Sequence, residues 1–152
     1  MKKLISAMVL TAASITAQAA EVQVALSVNH IWGQTWEDDQ QVKHEYNEDN
    51  RFVSVWREDG FGGALFVNSY GKTSVLFGRK GEKQMSCGAL NRLGVQCTWG
   101  LLFGVASGYE DAVSSGILPV LAPFWTVKYK ASSLGVGIYS AQAVVSTFGI
   151  KF

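Results

Sequence analysis

The chain has 152 residues, 48% hydrophobic, 12% aromatic and 16% charged, which excludes a disordered polar tail and fits a single domain. Sixteen glycines against two prolines argue for a β-rich fold, because glycine costs about 1 kcal/mol in a helix interior and serves where backbones bend or approach closely. A formal net charge of +1 lacks the clustered Lys and Arg of a nucleic-acid-binding protein, so no nucleic acid partner is expected.

Residues 1–19 read as a secretory signal peptide. Met1, Lys2 and Lys3 supply the basic start, 4–15 is apolar with small residues, and Ala17-Gln18-Ala19 gives the small-x-small cleavage pattern. The apolar stretch is shorter than the ~20 residues that span a bilayer core, so cleavage after Ala19 is expected, leaving residues 20–152 as the mature domain. Export places Cys87 and Cys97 in an oxidising compartment, and the polar stretch 88–96 between them reads as a turn that a disulfide would staple. Two free thiols are the alternative. His30 and His44 have no thiol pair at metal-ligand spacing, so neither a metal site nor a cofactor is expected.

The mature chain alternates with period two. Eight strands are predicted, over 22–32, 51–57, 62–69, 73–80, 95–107, 121–130, 134–140 and 143–152. In the fifth, Val95, Cys97, Trp99, Leu101, Phe103 and Val105 stand against Gln96, Thr98, Gly100, Leu102, Gly104 and Ala106. Thr126, Lys128 and Lys130, then Gly135, Gly137 and Tyr139, then Val145, Thr147, Gly149 and Lys151 extend the mostly small or polar face. Apolar residues on one side and small polar ones on the other, over segments of about 9 to 11 residues, predict a transmembrane barrel with a polar lumen. A soluble sandwich is the alternative. Eight antiparallel strands close without an edge, which hydrocarbon demands because an unpaired amide there costs several kcal/mol. The expected fold is therefore an all-β, eight-stranded antiparallel transmembrane β-barrel of the bacterial outer membrane, monomeric, with outer-membrane phospholipid and lipopolysaccharide as its partners.

Trp32, Trp56, Tyr109, Tyr129 and Tyr139, near strand ends, are assigned to interfacial girdles, and Phe152 ends the chain in phase with the apolar face. With an even strand count both termini lie on one side. The first long connection, 37–50, holds Glu37, Asp38, Asp39, Glu45, Glu48 and Asp49 and reads as a solvated acidic loop. The segment 109–123 is the third long connection, and Pro119 and Pro123 predict a break in strand pairing there.

No G-x-S-x-G elbow, P-loop or H-E-x-x-H occurs. His30, near the end of the first strand, and Asn68-Ser69, at the end of the third, fall at the same rim. A histidine and a hydroxyl there suit acyl transfer, with the histidine taking a proton from an attacking alcohol and neighbouring polar groups stabilising an oxyanion. Alternation puts His30 in phase with Val22, Val24, Leu26 and Val28 on the apolar face unless a bulge resets it.

Three segments, Tyr46-Asn47-Glu48, Phe66-Val67-Asn68-Ser69 and Leu118-Pro119-Val120-Leu121-Ala122-Pro123, carry a distant likeness. On them the chain resembles the lipid A palmitoyltransferase (PagP) family, eight-stranded outer-membrane enzymes that move an acyl chain from phospholipid to lipid A. The resemblance implies His30 in the catalytic histidine's place, Ser69 in the serine's, and Asn68 where the family carries aspartate. The competing expectation is a non-catalytic outer-membrane barrel with a structural role or a surface-binding role carried by its loops.

Overall fold

β-Branched and aromatic residues alternating with small ones suit a pleated strand whose two faces meet different surroundings, and each of the eight predicted segments is a strand. The computed structural model describes residues 21–31, 35–37, 43–47, 51–110, 113–139 and 143–152. The strands are β1 (Glu21–His30), β2 (Thr35–Glu37), β3 (Lys43–Glu45), β4 (Phe52–Trp56), β5 (Phe61–Val67), β6 (Thr73–Met85), β7 (Val95–Ser107), β8 (Ile117–Tyr129), β9 (Ser132–Tyr139) and β10 (Ala143–Lys151). Eight of them form a closed antiparallel barrel in the order β1-β10-β9-β8-β7-β6-β5-β4, and β2 pairs with β3 as a separate hairpin. That hairpin lies in the acidic connection. Asp38, Asp39, Glu48 and Asp49 fall outside the described residues.

One end of the barrel carries Glu21, Lys151 and the short β4–β5, β6–β7 and β8–β9 turns; the other carries the remaining connections. We call these the terminal end and the loop end. At the terminal end Cys87 and Cys97 form a disulfide across a ten-residue separation, with a short 3-10 helix, Gly88–Leu93, inside the staple.

The predicted alternation holds along β7, β9 and β10, but three expectations are corrected. Strand β8 begins at Ile117 and contains both prolines, each paired with β7, Pro119 with Val105 and Pro123 with Leu101. The interruption lies on its other flank, where the β8–β9 ladder starts only at Phe124↔Gly137. A residue without an amide proton is tolerated on a flank that has no neighbour. The girdle assignment also fails for three residues: Trp56 is buried inside at 2% exposure, and Tyr109 and Tyr139 pack against the interior core. Trp32 falls outside the described residues; Tyr129 does point outward, joined by Trp99 and Trp125. Finally, the lumen is polar only in part.

Near the loop end the interior is apolar, with Ala64, Leu76, Leu102, Ala106, Val120 and Ala122 flanked by Phe52, Phe66 and Phe124. Towards the terminal end it is charged. Lys80 pairs with Glu21 at 3.2 Å and with Glu82 at 3.9 Å, Lys128 pairs with Glu82, and Ser133 Oγ donates to Glu21 Oε1 at 2.6 Å. The Lys80 ammonium also lies 4.7 Å from the centroid of the Trp56 ring. Lys128 thus joins this network through Glu82 at its exposed edge, whereas Lys130, in the turn after β8, is exposed and outside it. A buried charge is tolerated only when paired and hydrogen-bonded, and each member of this network has a partner.

Eight strands leave an interior just wide enough for side chains, so large residues need small ones opposite. Trp56 occupies the room that Gly62 leaves: a Cβ at Gly62 would sit 2.5 Å from Trp56 Cε3 and 2.2 Å from the Val55 carbonyl oxygen. Gly62→Ala is therefore expected to destabilise the barrel by about 1–3 kcal/mol. The unfolding midpoint of the purified protein, read by its heat-dependent electrophoretic migration, checks this; an unchanged midpoint would contradict the packing described.

Candidate functional site

The site begins with an irregularity in β1. Its ladder with β10 slips between Ala25↔Thr147 and Ser27↔Ser146, a β-bulge that inverts the side-chain phase. Before it, Glu21, Gln23 and Ala25 are turned to the interior and Val24 and Leu26 outward. After it, Val28 is buried at 7% exposure and His30 is half-buried. Simple alternation would have carried His30 to the outside; the extra residue brings it in.

His30 Nε2 lies 2.7 Å from Ser69 Oγ. The imidazole stacks on Tyr46, ring centroids 4.5 Å apart and planes within 13°, and the ring row continues through Tyr70 at 5.8 Å to Tyr109 at 6.0 Å. The segment after β3 straps the serine in place. Asn47 donates its backbone N–H to the Ser69 carbonyl at 2.7 Å and its side-chain amide to the Asn68 carbonyl at 3.3 Å.

Asn68 is 1% exposed and its amide is engaged at both ends. Oδ1 accepts the backbone N–H groups of Tyr70 at 2.9 Å and Lys72 at 3.0 Å, while Nδ2 donates to the Gly108 carbonyl. An asparagine that bonds its own turn two and four residues on is the short-range chemistry that makes this residue common in turns. Here it also ties the β5–β6 turn to the end of β7, and so fixes the residue beside it, Ser69.

Beside the pair lies an apolar cavity of about 70 Å³, lined by Ser69 and Asn68 with Val28, Phe52, Phe66, Leu76, Tyr109, Leu118, Val120, Tyr139 and Val145. Burial, with Tyr70 as a second contributor, pushes the Tyr109 phenol up to about 12, so it keeps its proton at neutral pH and remains a hydrogen-bond donor. Among the described residues, two flanks of the wall beside the cavity have no ladder partner: β8 before Phe124 towards β9, and β1 after Val24 towards β4.

The three sequence-predicted residues, His30, Asn68 and Ser69, are thus brought together at one rim. Sequence reasoning gave no role to Tyr46, Asn47 or Tyr70, and gave Tyr109 only a place in the girdle. Tyr46-Asn47 stood within a motif that had been singled out, but only the fold shows what it touches. No known family model matches this chain, and no curated protein does.

The two neighbours should respond differently to substitution. Asn68→Asp replaces the donor facing the Gly108 carbonyl with an acceptor, and a loss of about 1–3 kcal/mol is expected. Ser69→Ala removes a single half-buried hydrogen bond and should cost no more than about 0.5–1.5 kcal/mol. Paired denaturant titrations check the difference; equal effects would contradict the division between an asparagine that holds the turn and a serine that makes one side-chain contact.

Proposed function

We propose that this chain is a small integral outer-membrane barrel, exported by a leader cleaved after Ala19, that transfers an acyl chain from phospholipid to lipid A at its loop-end rim. The observation that carries the chemistry is the 2.7 Å contact between His30 Nε2 and Ser69 Oγ, with Ser69 lining an apolar cavity. Membrane insertion is supported by the outward face, where Leu26, Phe77, Phe103, Leu121 and Leu134 are each more than half exposed, an arrangement that hydrocarbon solvates and water does not. The resemblance to lipid A palmitoyltransferases supplies the donor and acceptor.

In this reading His30 acts as general base and Ser69 as nucleophile. Ser69 Oγ attacks the donor's ester carbonyl while its proton passes to Nε2. The tetrahedral intermediate collapses by breaking the bond to the glycerol oxygen, which takes the proton back from His30 and leaves as the lysophospholipid alcohol. A hydroxyl of the acceptor then gives its proton to His30 and attacks the acyl-serine; the bond from the acyl carbon to Oγ breaks and His30 returns the proton to Oγ, restoring both residues. The Tyr109 phenol, which lines the same cavity, is in this reading the donor to a developing oxyanion. Asn68 acts through Ser69 as a positioning residue. The cavity seats the carbonyl end of the acyl chain, and the unpaired flank of β8 gives the rest of the chain a lateral way out to the bilayer.

The test is lipid mass spectrometry after the purified barrel is incubated in vesicles with phospholipid and lipid A. Acylated lipid A and lysophospholipid are expected in equal amounts. His30→Ala and Ser69→Ala should each lower the rate by about a thousandfold or more, and the double variant should be no slower than either single one. No acylated product from the unaltered chain, or full activity in Ser69→Ala, overturns the proposal.

A further inference from the structure

The two ends of the barrel carry opposite charge. In sequence, the connections at the loop end hold eight acidic residues against three Lys or Arg, and the half that bears the termini holds four acidic against eight basic. Each of those four acids is matched: Glu21 by Lys80, Glu82 by Lys80 and Lys128, Glu58 by Lys151, Asp59 by Arg57. Four cations are left over. Arg79, Lys83, Arg92 and Lys130 have no carboxylate within ion-pair distance among the described residues.

Their surroundings are alike. Arg79 holds its guanidinium 5.0 Å from the ring of Phe61, which is itself exposed. Lys83 is the register partner of Trp99, which in turn faces Trp125 across the β7–β8 ladder, and both tryptophans point outward. Lys130 lies 5.3 Å from the Tyr129 ring. Arg92 sits in the last turn of the 3-10 helix, whose exposed Leu90 and Leu93 share a face because that helix repeats every three residues. Amphipathic rings and snorkelling cations at one end of an apolar outer face match the boundary between hydrocarbon and anionic headgroups.

We propose that the terminal end docks on a leaflet containing anionic phospholipid, with Arg79, Lys83, Arg92 and Lys130 contacting the headgroup phosphates. The charge surplus that no carboxylate offsets is what selects an anionic over a zwitterionic headgroup. This surface rests on the reading that the outward apolar face lies in a bilayer, and it is independent of the acyl chemistry at the opposite rim.

The test reconstitutes the mature chain in phosphatidylcholine vesicles containing trace spin-labelled phosphatidylglycerol or phosphatidylcholine. The fraction of label immobilised at the protein is read by electron spin resonance, and heat-dependent migration reports insertion. Phosphatidylglycerol should be preferred, the preference should fall as salt is added, and each neutralised cation should lower it by up to roughly fivefold. Lys83→Gln/Arg92→Gln/Lys130→Gln should therefore bring the two lipids close together, while Glu45→Gln/Glu110→Gln at the loop end leaves the preference intact. Insertion with equal immobilisation of both lipids, or a preference insensitive to salt, overturns this surface alone. Failure to insert at all overturns the membrane reading and this surface with it.

Discussion

The width of the cylinder constrains everything inside it. Eight strands enclose a space that side chains can just fill, so each large interior residue requires a gap on a neighbouring strand. Trp56 has that gap because Gly62 adds no Cβ, and Phe124 stands similarly over Gly100, where a Cβ would lie 2.6 Å from its ring. Once the indole is seated, the Lys80 ammonium has an aromatic face to rest on and two carboxylates within reach. This layer divides the interior into an apolar half beneath the loop-end rim and a charged half towards the termini.

The division gives the rim its chemical character. A serine and a histidine surrounded by water are an ordinary hydrogen-bonded pair; set against an apolar cavity, the same pair lies in a medium of low dielectric, where each hydrogen bond and partial charge counts for more. The supports are short-range. Asn68 locks its own turn, Asn47 straps the backbone on either side of Ser69, and Tyr46 holds the face of the imidazole. Substrate contact falls to His30, Ser69 and Tyr109 in the proposed reaction, while Asn68, Asn47 and Tyr46 hold those groups in register.

The outer surface follows a separate logic. Apolar residues occupy most outward positions of β7, β8 and β9 and of β6 as far as Phe77, after which Arg79 and Lys83 take over that face, and Trp99, Trp125 and Tyr129 stand towards the terminal end. The two ends then differ in charge, and Arg79, Lys83, Arg92 and Lys130, which have no carboxylate within ion-pair distance among the described residues, lie towards the end with the short turns. A field of one sign at each end orients a molecule with respect to a charged surface without requiring any single strong contact.

Most of the architecture could be read from residue order. Period-two alternation located all eight barrel strands, and small residues opposite large ones on β7 and β10 fixed which face turned inward, because a pleated strand leaves no other option. The Cys87–Cys97 pairing was one of two readings that a turn-like stretch between two cysteines allowed, and the structure has it. His30, Ser69 and Asn68 could be placed at one rim because an even strand count brings alternate connections to the same end. What tertiary structure alone decided was phase and contact. One extra residue in β1 reversed the direction of His30, and nothing local to Ala25-Leu26-Ser27 announces a bulge, since its register is set by the partner strand β10. Trp56, Tyr109 and Tyr139 look like interfacial residues by position, yet point inward because closure gives them room and partners. The prolines of β8 were legible as interruptions, but which flank they interrupt depends on where β9 ends, and that is a property of the closed sheet rather than of any segment within it.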